Sequence, residues 1–368
     1  MKKTRINKSN MFSLYEEFSK LSDVRRAQGK RHPLELVIMI VILSIMSGWD
    51  GYRAVGDFIE KNKKELIELL KPKKNRLPSF STIRRVMKSV NFDELCVLFE
   101  RWAKIHIRIK EKEWISIDGK AIRGTLSDDE KRFVNLVSLF CVEKKQVFSM
   151  GKVDDKSNEI PKVQELIEKF PVKKVIYRMD AMHCQKKTVK KILKKDSFYV
   201  LQVKENQEKL LKKIKFICKY FPIISSNITK EKNRGRLEKR EVCVYKEGLD
   251  LKHEWSDIKQ VIKVRRTVKN KDEKSEETAF FITNLSEKAS FFNKGIRGHW
   301  RIENSLHYIK DVVLNEDRSR IRTGSAPQNM SLLRTLVINI FRLKGYSRIK
   351  QATRLISGNV KLMLSLLL

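Results

Sequence analysis

The chain has 368 residues, more than one hydrophobic core usually supports, so we expect two or three domains or a core with a large insertion. Its 80 Lys and Arg against 44 Asp and Glu give a formal net charge of +36, which points to a polyanionic partner, nucleic acid first. Lysine-rich codon bias would also raise the basic count, but it would normally raise glutamate as well.

Secretion, structural zinc and membrane insertion are all disfavoured. The five cysteines are widely scattered with no CxxC pair, as expected for a reduced cytoplasm. No apolar segment follows the basic N-terminus at the distance that a signal peptide needs. The longest apolar run, residues 34–49, contains Glu35 and is shorter than the roughly 20 residues that span a bilayer. We therefore expect a buried helix there, no membrane contact, and a cytoplasmic, nucleoid-associated protein.

Residues 1–110 are predicted to form a helical N-terminal region that could bind DNA ends. Pro33 stands at a helix start, and Gly48 and Gly51 interrupt the apolar helix that follows it. A further helix is predicted across residues 52–70, where apolar residues recur at helical intervals. Pro72 and Pro78 then punctuate a basic linker.

The last part of this region predicts two consecutive helices. A short capped helix is expected to start near Ser81, and a longer one to start at Asp93 after a turn at Asn91. The shorter helix carries Arg84, Arg85 and Lys88, so the pair could be a helix-turn-helix reader of DNA. A plain helical hairpin with a hydrated basic face explains the same pattern, and both interpretations stay open.

Residues 111–210 are predicted to form the first part of a mixed α/β core. Three runs rich in Val, Ile and Phe suggest consecutive antiparallel strands, at residues 114–122, 133–142 and 146–153. Helix and strand patterns then alternate, at residues 162–170, 173–182, 186–195 and 198–204. Strands first and then alternating elements indicate a mixed sheet flanked by helices.

The alternation of helix and strand patterns is interrupted after residue 210. Residues 211–285 are predicted to be a mostly β insertion, with a basic helix at 210–221 and strands at 240–248, 260–268 and 278–285. Residues 286–368 are predicted to complete the core with closing helices. One of these helices carries "GHWRIENSLHYIKDVVLNEDRSRIR", residues 298–322.

Two acids follow apolar strand patterns. Asp118 ends the run "ISID" and Asp180 ends "VIYRMD". An Asp-Gly hairpin turn is a strong alternative for Asp118, since Gly119 follows it. Asp180 has no turn residue after it, and an acid in an apolar stretch is costly unless it is paired or binds a cation. Asp180 is therefore the stronger candidate of the two.

The residues of the predicted helix around Glu303 can be assigned to its faces, because each residue of an α-helix is rotated by about 100° from the one before it. Its core stripe is predicted to consist of Ile302, Leu306, Ile309 and Val313. The rotation places Glu303, His307 and Lys310 beside that stripe, at the edge of the core, and turns Asp311 toward solvent. Surface charge is the simpler explanation for Asp311, and His307 could merely bond within its helix.

Asp118, Asp180 and Glu303 together suit a two-metal phosphoryl-transfer site, because Mg²⁺ prefers carboxylate oxygens. Spacing alone makes this set only modestly specific. Other catalytic signatures fail: Thr125 stands where a phosphate-binding loop needs Lys, and no GxSxG, HExxH or GxGxxG sequence occurs.

Several longer segments resemble the DDE transposases of ISAs type, the H-repeat-associated proteins linked to Rhs elements. They are "SIDGKAIRG", "MDAMHCQKKTVKKI" followed by "YVLQVKENQEKL", and "GHWRIENSLHYIKDVVLNEDRSRIRTGSAPQNMSLLR". The N-terminal "RRAQGKRHPLELVIMIVILSIMSG" and "LPSFSTIRRVM" are similar to that family's associated region, so the resemblance covers nearly the whole chain.

The resemblance implies a ribonuclease-H-like core with a β-rich insertion before the last acid. It also implies that Asp118, Asp180 and Glu303 are the catalytic triad and hold two Mg²⁺ or Mn²⁺ ions. Such an enzyme cuts the element end, frees a 3′-hydroxyl and joins it to target DNA, working as a homo-oligomer on double-stranded terminal repeats. The alternative from another class is a DNA-binding regulator or inactive relic that does not transpose.

The chain departs from the family pattern at Tyr308, Lys310 and Glu205, where Trp, Leu and Gly are usual. Lys310 lies seven residues after Glu303, like a phosphate-contacting lysine of a related transposase group, and we give it that role as a hypothesis. Phosphate contacts position DNA without reading its sequence. The candidate DNA contacts are Arg84, Arg85, Arg297, Arg301, His307, Lys310, Arg318, Arg320 and Arg322. For any single arginine an ordinary exposed side chain is the better explanation, whereas the cluster as a whole favours DNA.

Overall fold

A computed structural model describes residues 8–125, 133–154, 158–233, 236–248, 251, 255, 257–269, 274–298 and 300–367. The N-terminal region is helical, as predicted. Its helices are α1 (Lys8–Ser19), α2 (Leu34–Met46), α3 (Tyr52–Lys61), α4 (Lys63–Leu70), α5 (Phe80–Ser89) and α6 (Phe92–His106).

Helix α2 is the buried centre of this region. It begins directly after Pro33, and every residue except Glu35 is buried among the neighbouring helices. Pro is favoured at helix starts because its missing N–H would have no intrahelical partner there. Across the described residues, every helix is too short or too polar to cross a bilayer. The prediction of a buried helix at this position is confirmed.

Helices α5 and α6 begin at side-chain caps. Ser79 Oγ accepts a hydrogen bond from the Thr82 backbone N–H, and Asn91 Oδ1 accepts from the N–H groups of Asp93 and Glu94. These contacts satisfy donors that the first helical turn leaves free. The predicted start near Ser81 is therefore one residue late. Whether α5 and α6 read DNA stays a prediction.

The described strands form one nine-stranded sheet in the order β3-β2-β1-β4-β5-β9-β8-β7-β6. The strands are β1 (Trp114–Ile122), β2 (Val134–Cys141), β3 (Gln146–Lys152), β4 (Ile176–Met179), β5 (Phe198–Val203), β6 (Ile223–Asn233), β7 (Arg236–Lys246), β8 (Gln260–Lys269) and β9 (Lys274–Thr283). Strands β1 to β3 are antiparallel, whereas β4 pairs parallel to β1 and to β5. The predicted mixed sheet is confirmed.

The helices between these strands are α7 (Glu159–Lys169), α8 (Lys186–Lys194) and α9 (Glu208–Tyr220), close to their predicted positions. The region predicted as an insertion continues the core sheet, because β9 pairs with β5 from Val200↔Thr283 to Val203↔Phe280. Strand β6 was not predicted, since most of its residues are polar and it lies at the sheet edge, where one side has no neighbouring strand. The proposed domain limits stay predictions.

Among the described residues after β9, five helices close the fold: α10 (Ala289–Gly298), α11 (residues 300–313), α12 (Ala326–Leu343), α13 (Ile349–Ile356) and α14 (Val360–Leu366). Helix α12 is buried along nearly all its length and packs on α2, α5, α6 and β3. The Asn339 side chain accepts from the Val147 N–H at 3.0 Å and donates to the Val147 carbonyl at 2.7 Å. Helix α12 therefore joins the helical region to the edge strand β3.

Candidate active site

Asp118 and Asp180 lie side by side where β1 and β4 run parallel. Ser116 of β1 pairs with Arg178 of β4. Asp118 and Asp180 each come two residues later in their own segment. Neighbouring strands are about 4.8 Å apart. Asp118 lies within β1 and pairs with Ser138 of β2, so the hairpin-turn alternative is wrong. Asp180 comes directly after β4 with its side chain 59% exposed, so the argument from an acid buried in an apolar stretch is also wrong.

Helix α11 brings Glu303 and His307 to the same place. Oxygen or nitrogen atoms of Asp118, Glu303 and His307 lie within 4.8 Å of one another. His307 Nε2 is 3.2 Å from Asp118 Oδ2, so the imidazole donates to that carboxylate. Glu303 is exposed and faces a cleft of about 500 Å³ that Asp118 and Asp180 also line. The three predicted acids therefore share one cleft, with oxygen donors of the kind that Mg²⁺ prefers.

Arg178 supplies a fixed positive charge beneath the acids. Its side chain is buried, with Nη1 3.9 Å from Asp180 Oδ1 and the guanidinium 4.8 Å from the Phe281 ring centroid. Burial lowers the pKa of Arg178 to about 10, against the opposing effect of Asp180 and Asp118. The group is therefore still charged at neutral pH. Sequence reasoning missed it, although a lone Arg within the apolar run "VIYRMD" was a usable signal.

A fourth carboxylate, Glu159, lies near Asp118 and Asp180. It is the first residue of α7, and its carboxylate occupies the space beside Gly119: a Cβ at that glycine would be 2.1 Å from Glu159 Oε1. Burial and then the charges of Asp118 and Asp180 raise the pKa of Glu159. His183 Nε2 is 3.8 Å from Glu159 Oε2, and burial lowers the pKa of this histidine. Sequence reasoning missed Glu159 because an acid in a first helical turn is ordinary.

Strands of the predicted insertion form the opposite wall of the cleft. This wall includes Arg240 of β7 and Arg266 of β8, together with Phe281 of β9. Both arginines donate to Glu238, each at 2.9 Å, and their proximity lowers the pKa of that carboxyl to about 2. Glu277 of β9 also lines this wall, 4.0 Å from Arg266 Nη1, so two acids balance its two arginines. Because β9 pairs with β5, this wall is held directly against the acids.

Two expectations from the rotation of α11 are wrong. Lys310 is 2% exposed: its Nζ lies 3.3 Å from Glu316 Oε2 and donates to Ser331 Oγ at 2.6 Å. Asp311 is not a solvated surface charge, because its Oδ1 forms an ion pair with Lys120 Nζ at 2.7 Å. The cause is two π-helical segments, Glu303–His307 and Ile309–Val313. Their i→i+5 hydrogen bonds turn each residue by less than the 100° assumed, and the error grows along the helix.

The remaining DNA candidates separate by exposure. His307 is buried against Asp118, and Lys310 is buried against Glu316, so neither presents its charge at the surface. The exposed candidates are Arg84, Arg85, Arg297, Arg301, Arg318, Arg320 and Arg322. Arg297 binds Glu231 through both terminal nitrogens. DNA contact by the exposed arginines stays a prediction.

Residues 109–340 match the family described as the transposase DDE domain, and residues 15–103 match the family described as DDE_Tnp_1-associated. The chain belongs to the DDE transposase family. It is 32% identical over 347 residues to the candidate transposase YncI of Escherichia coli O157:H7, covering 90% of this chain and 87% of that protein. It is also 32% identical over 339 residues to the H repeat-associated candidate transposase YhhI of Escherichia coli K12, covering 89% of each.

These matches confirm the predicted resemblance to H-repeat-associated DDE transposases. Such enzymes generally depend on divalent metal ions, and the acids of this DDE transposase could hold one. The fold is also similar, at a TM-score of 0.49 and 9% identity, to a chain of the piggyBac transposase synaptic complex with hairpin DNA. That likeness covers 98% of this chain and 82% of the other. A likeness this distant carries no conclusion about activity.

Proposed function

We propose that this DDE transposase cuts the ends of an insertion sequence and joins the freed 3′-hydroxyl to target DNA. The observation that carries the proposal is the meeting of Asp118, Asp180 and Glu303 in one cleft, from three elements far apart in sequence. A formal net charge of +36 suits a polyanionic substrate. Acids gathered in so basic a chain are expected where cations must be held against DNA.

The core is proposed to be ribonuclease-H-like. Support comes from the strand order β3-β2-β1-β4-β5, with β1 to β3 antiparallel and β4 and β5 parallel to β1. Asp118 lies on β1, Asp180 directly follows β4, and Glu303 lies on a helix after the extra strands β6 to β9. This is the order of acids that the resemblance implied.

Asp118, Asp180 and Glu303 are proposed to hold two Mg²⁺ or Mn²⁺ ions. Two such ions roughly 4 Å apart can activate an attacking oxygen and stabilise a leaving oxygen during in-line displacement. Asp118 has a ligand atom within 4.8 Å of one of Glu303, and its strand pairs with the strand that leads to Asp180, so it is suited to serve both ions. His307 donates to Asp118 Oδ2 and so fixes the carboxylate's orientation, as residues behind metal ligands commonly do.

The proposed reaction has two steps at this one site. In the first, a water oxygen bonds to phosphorus at the element end, and the bond from phosphorus to the 3′-oxygen breaks. The leaving 3′-oxygen takes up a proton and becomes a 3′-hydroxyl. The other product is a 5′-phosphate, and the attacking water releases a proton to solvent. In the second, that 3′-oxygen bonds to a target phosphorus, loses its proton, and displaces a target 3′-oxygen. One phosphodiester is broken and one is formed.

The DNA partners are proposed to be the element's double-stranded terminal repeats and the target duplex, held by a homo-oligomer in the nucleoid. The exposed arginines Arg301, Arg318, Arg320 and Arg322 come shortly before or after Glu303 in the chain. Arg84 and Arg85 lie on a separate exposed helix face of the N-terminal region. Two basic surfaces would allow end binding and cleavage to be served by different parts of the chain.

A cleavage assay tests this proposal. Purified protein is incubated with Mg²⁺ and the DNA that flanks its gene, and nicking at the element ends is mapped on a sequencing gel. We expect cutting by the wild type and by Glu168→Gln, an exposed acid on α7, and loss of cutting in Asp180→Asn with DNA binding retained. Binding without cutting by the wild type would favour a regulator, and cutting without any need for the ends would favour a general nuclease.

A further inference from the structure

We propose that Glu159 is a fourth carboxylate of the metal centre and binds the same ion as Asp118 and Asp180. The inference rests on the proposed function, because it assigns a further ligand to that centre. The resemblance assigned only Asp118, Asp180 and Glu303. Three features support the fourth ligand: the position of the Glu159 carboxylate, the glycine beneath it and the histidine behind it.

The Glu159 carboxylate is placed by the first turn of α7. Asn158 Oδ1 accepts from the Ile160 N–H at 3.0 Å and so fixes the start of the helix one residue from Glu159. The carboxylate lies against Gly119, the neighbour of Asp118. It also approaches His183, whose backbone N–H donates to the Asp180 carbonyl at 3.0 Å. Glu159 thus lies between segments attached directly to both aspartates.

Gly119 is explained by this carboxylate. A glycine inside a strand weakens it and commonly marks a close approach. Gly119 lies within β1 and its φ is not positive, so it is not required for a turn. A Cβ there would lie 2.1 Å from Glu159 Oε1 and 2.4 Å from Oε2. The missing side chain leaves the space that both Glu159 carboxylate oxygens occupy against β1.

His183 supports the same carboxylate from behind. It is 2% exposed, and among the described residues its Nδ1 has no hydrogen-bond partner. Its Nε2 faces Glu159 Oε2 at 3.8 Å. A buried imidazole close to a carboxylate is the arrangement that commonly orients metal ligands. His183 is therefore a positioning residue for Glu159.

The other three acids approach Asp118 from three different elements. Glu303 and His307 approach it from α11, with ligand atoms within 4.8 Å of it. Glu159 and Asp180 approach from α7 and the end of β4. The Glu159 carboxylate reaches this group through its contact with Gly119, and neighbouring carboxylates repel one another unless a cation lies between them. Since Mg²⁺ takes six oxygen ligands, one ion has room for Asp118, Asp180 and Glu159 together with water.

Metal binding by the whole chain tests this assignment. Free Mn²⁺ is measured by electron paramagnetic resonance during titration of wild type, Glu159→Gln, Glu159→Asp and the matched control Glu168→Gln. We expect Glu159→Gln to weaken one Mn²⁺ site by at least about 10–100-fold, the loss seen when a residue behind a metal ligand is replaced. Glu159→Asp should recover part of the affinity, and Glu168→Gln should match the wild type. Circular dichroism confirms that each variant is folded.

Asp180→Asn distinguishes the two proposals. If Asp180→Asn weakens Mn²⁺ binding and Glu159→Gln leaves both sites unchanged, the assignment of Glu159 is wrong and the proposed metal centre stands. If the wild type binds no Mn²⁺, the metal centre of the proposed function fails and the Glu159 assignment fails with it. Loss of the same site in both variants is the result we expect.

Discussion

Helix α11 carries two groups of charged residues that differ in their surroundings. Near its start, Glu303 is exposed and faces the cleft of the other acids. Near its end, Lys310 is buried against Glu316, which has no exposed surface. The first group gathers acids in a cleft open to solvent, whereas the second pairs each charge inside the protein. One helix therefore separates a group suited to bind a ligand from a group that holds the helix in place.

The buried group connects α11 to distant parts of the fold. Arg334 of α12 lies 3.7 Å from Glu316 and 2.6 Å from Asp50, which follows α2 in the helical region. On the sheet side, Lys120 pairs with Asp311 and follows Asp118 by two residues on β1. These contacts set the position of α11 relative to β1. They therefore help to bring Glu303 to Asp118.

Glu303 belongs to the group that faces the cleft, so we expect its replacement to remove activity without loss of stability. Glu303→Gln should lower DNA cleavage by at least about 10³-fold, equivalent to roughly 4 kcal/mol in the barrier. Because Glu303 is exposed and its replacement has the same shape, the midpoint of thermal unfolding should change by less than about 2 °C. Cleavage rates and calorimetry check both parts. A large fall in the unfolding temperature would mean that Glu303 belongs to the structural group.

Replacing a residue of the buried group, Lys310 and Glu316, should instead lower the stability of the fold. Lys310→Met keeps the length of the side chain but leaves Glu316 without its nearest cation, so we expect a loss of about 3–5 kcal/mol in the free energy of unfolding. Urea unfolding followed by circular dichroism measures this loss. The exposed Lys350→Met on α13 is the control and should change stability by less than about 0.5 kcal/mol. Stability equal to the wild type, with weakened DNA binding, would restore Lys310 as a phosphate contact.

The smallest expected effect is a dependence on pH. Burial acts to raise the pKa of Glu316, but the charges of Lys310 and Arg334 outweigh it and lower the pKa. A lowered folded-state pKa contributes stability that is present above the unfolded value, near 4.5, and is lost as pH falls through the folded value. The stability gap between wild type and Glu316→Gln should thus be widest near pH 6 and narrow below pH 4.5. A gap that widens on acidification would contradict this ion pair.

Much of the fold and part of the site were predictable from local pattern. Apolar spacing and caps placed α2, α5, α6 and the strands β1 to β5, because these signals act within a few residues. Asp118 and Asp180 stood out as acids after apolar strands, rotation of its helix made Glu303 a third candidate, and the family resemblance implied the same three acids. The match to the DDE transposase family confirms that resemblance.

Only the tertiary structure decided which charged residues meet. Arg334 and Asp50 are 284 residues apart, and no periodic pattern pairs them. Lys310 was assigned to the wrong surface because a uniform 100° rotation does not allow for the π turns of α11. Glu159 and Gly119 gave no local signal of their contact, which depends on how α7 packs over β1. The sequence by itself determined most of the elements, the three candidate acids Asp118, Asp180 and Glu303, and the family, since these depend on local order. The partners of each charge depend on packing between distant segments.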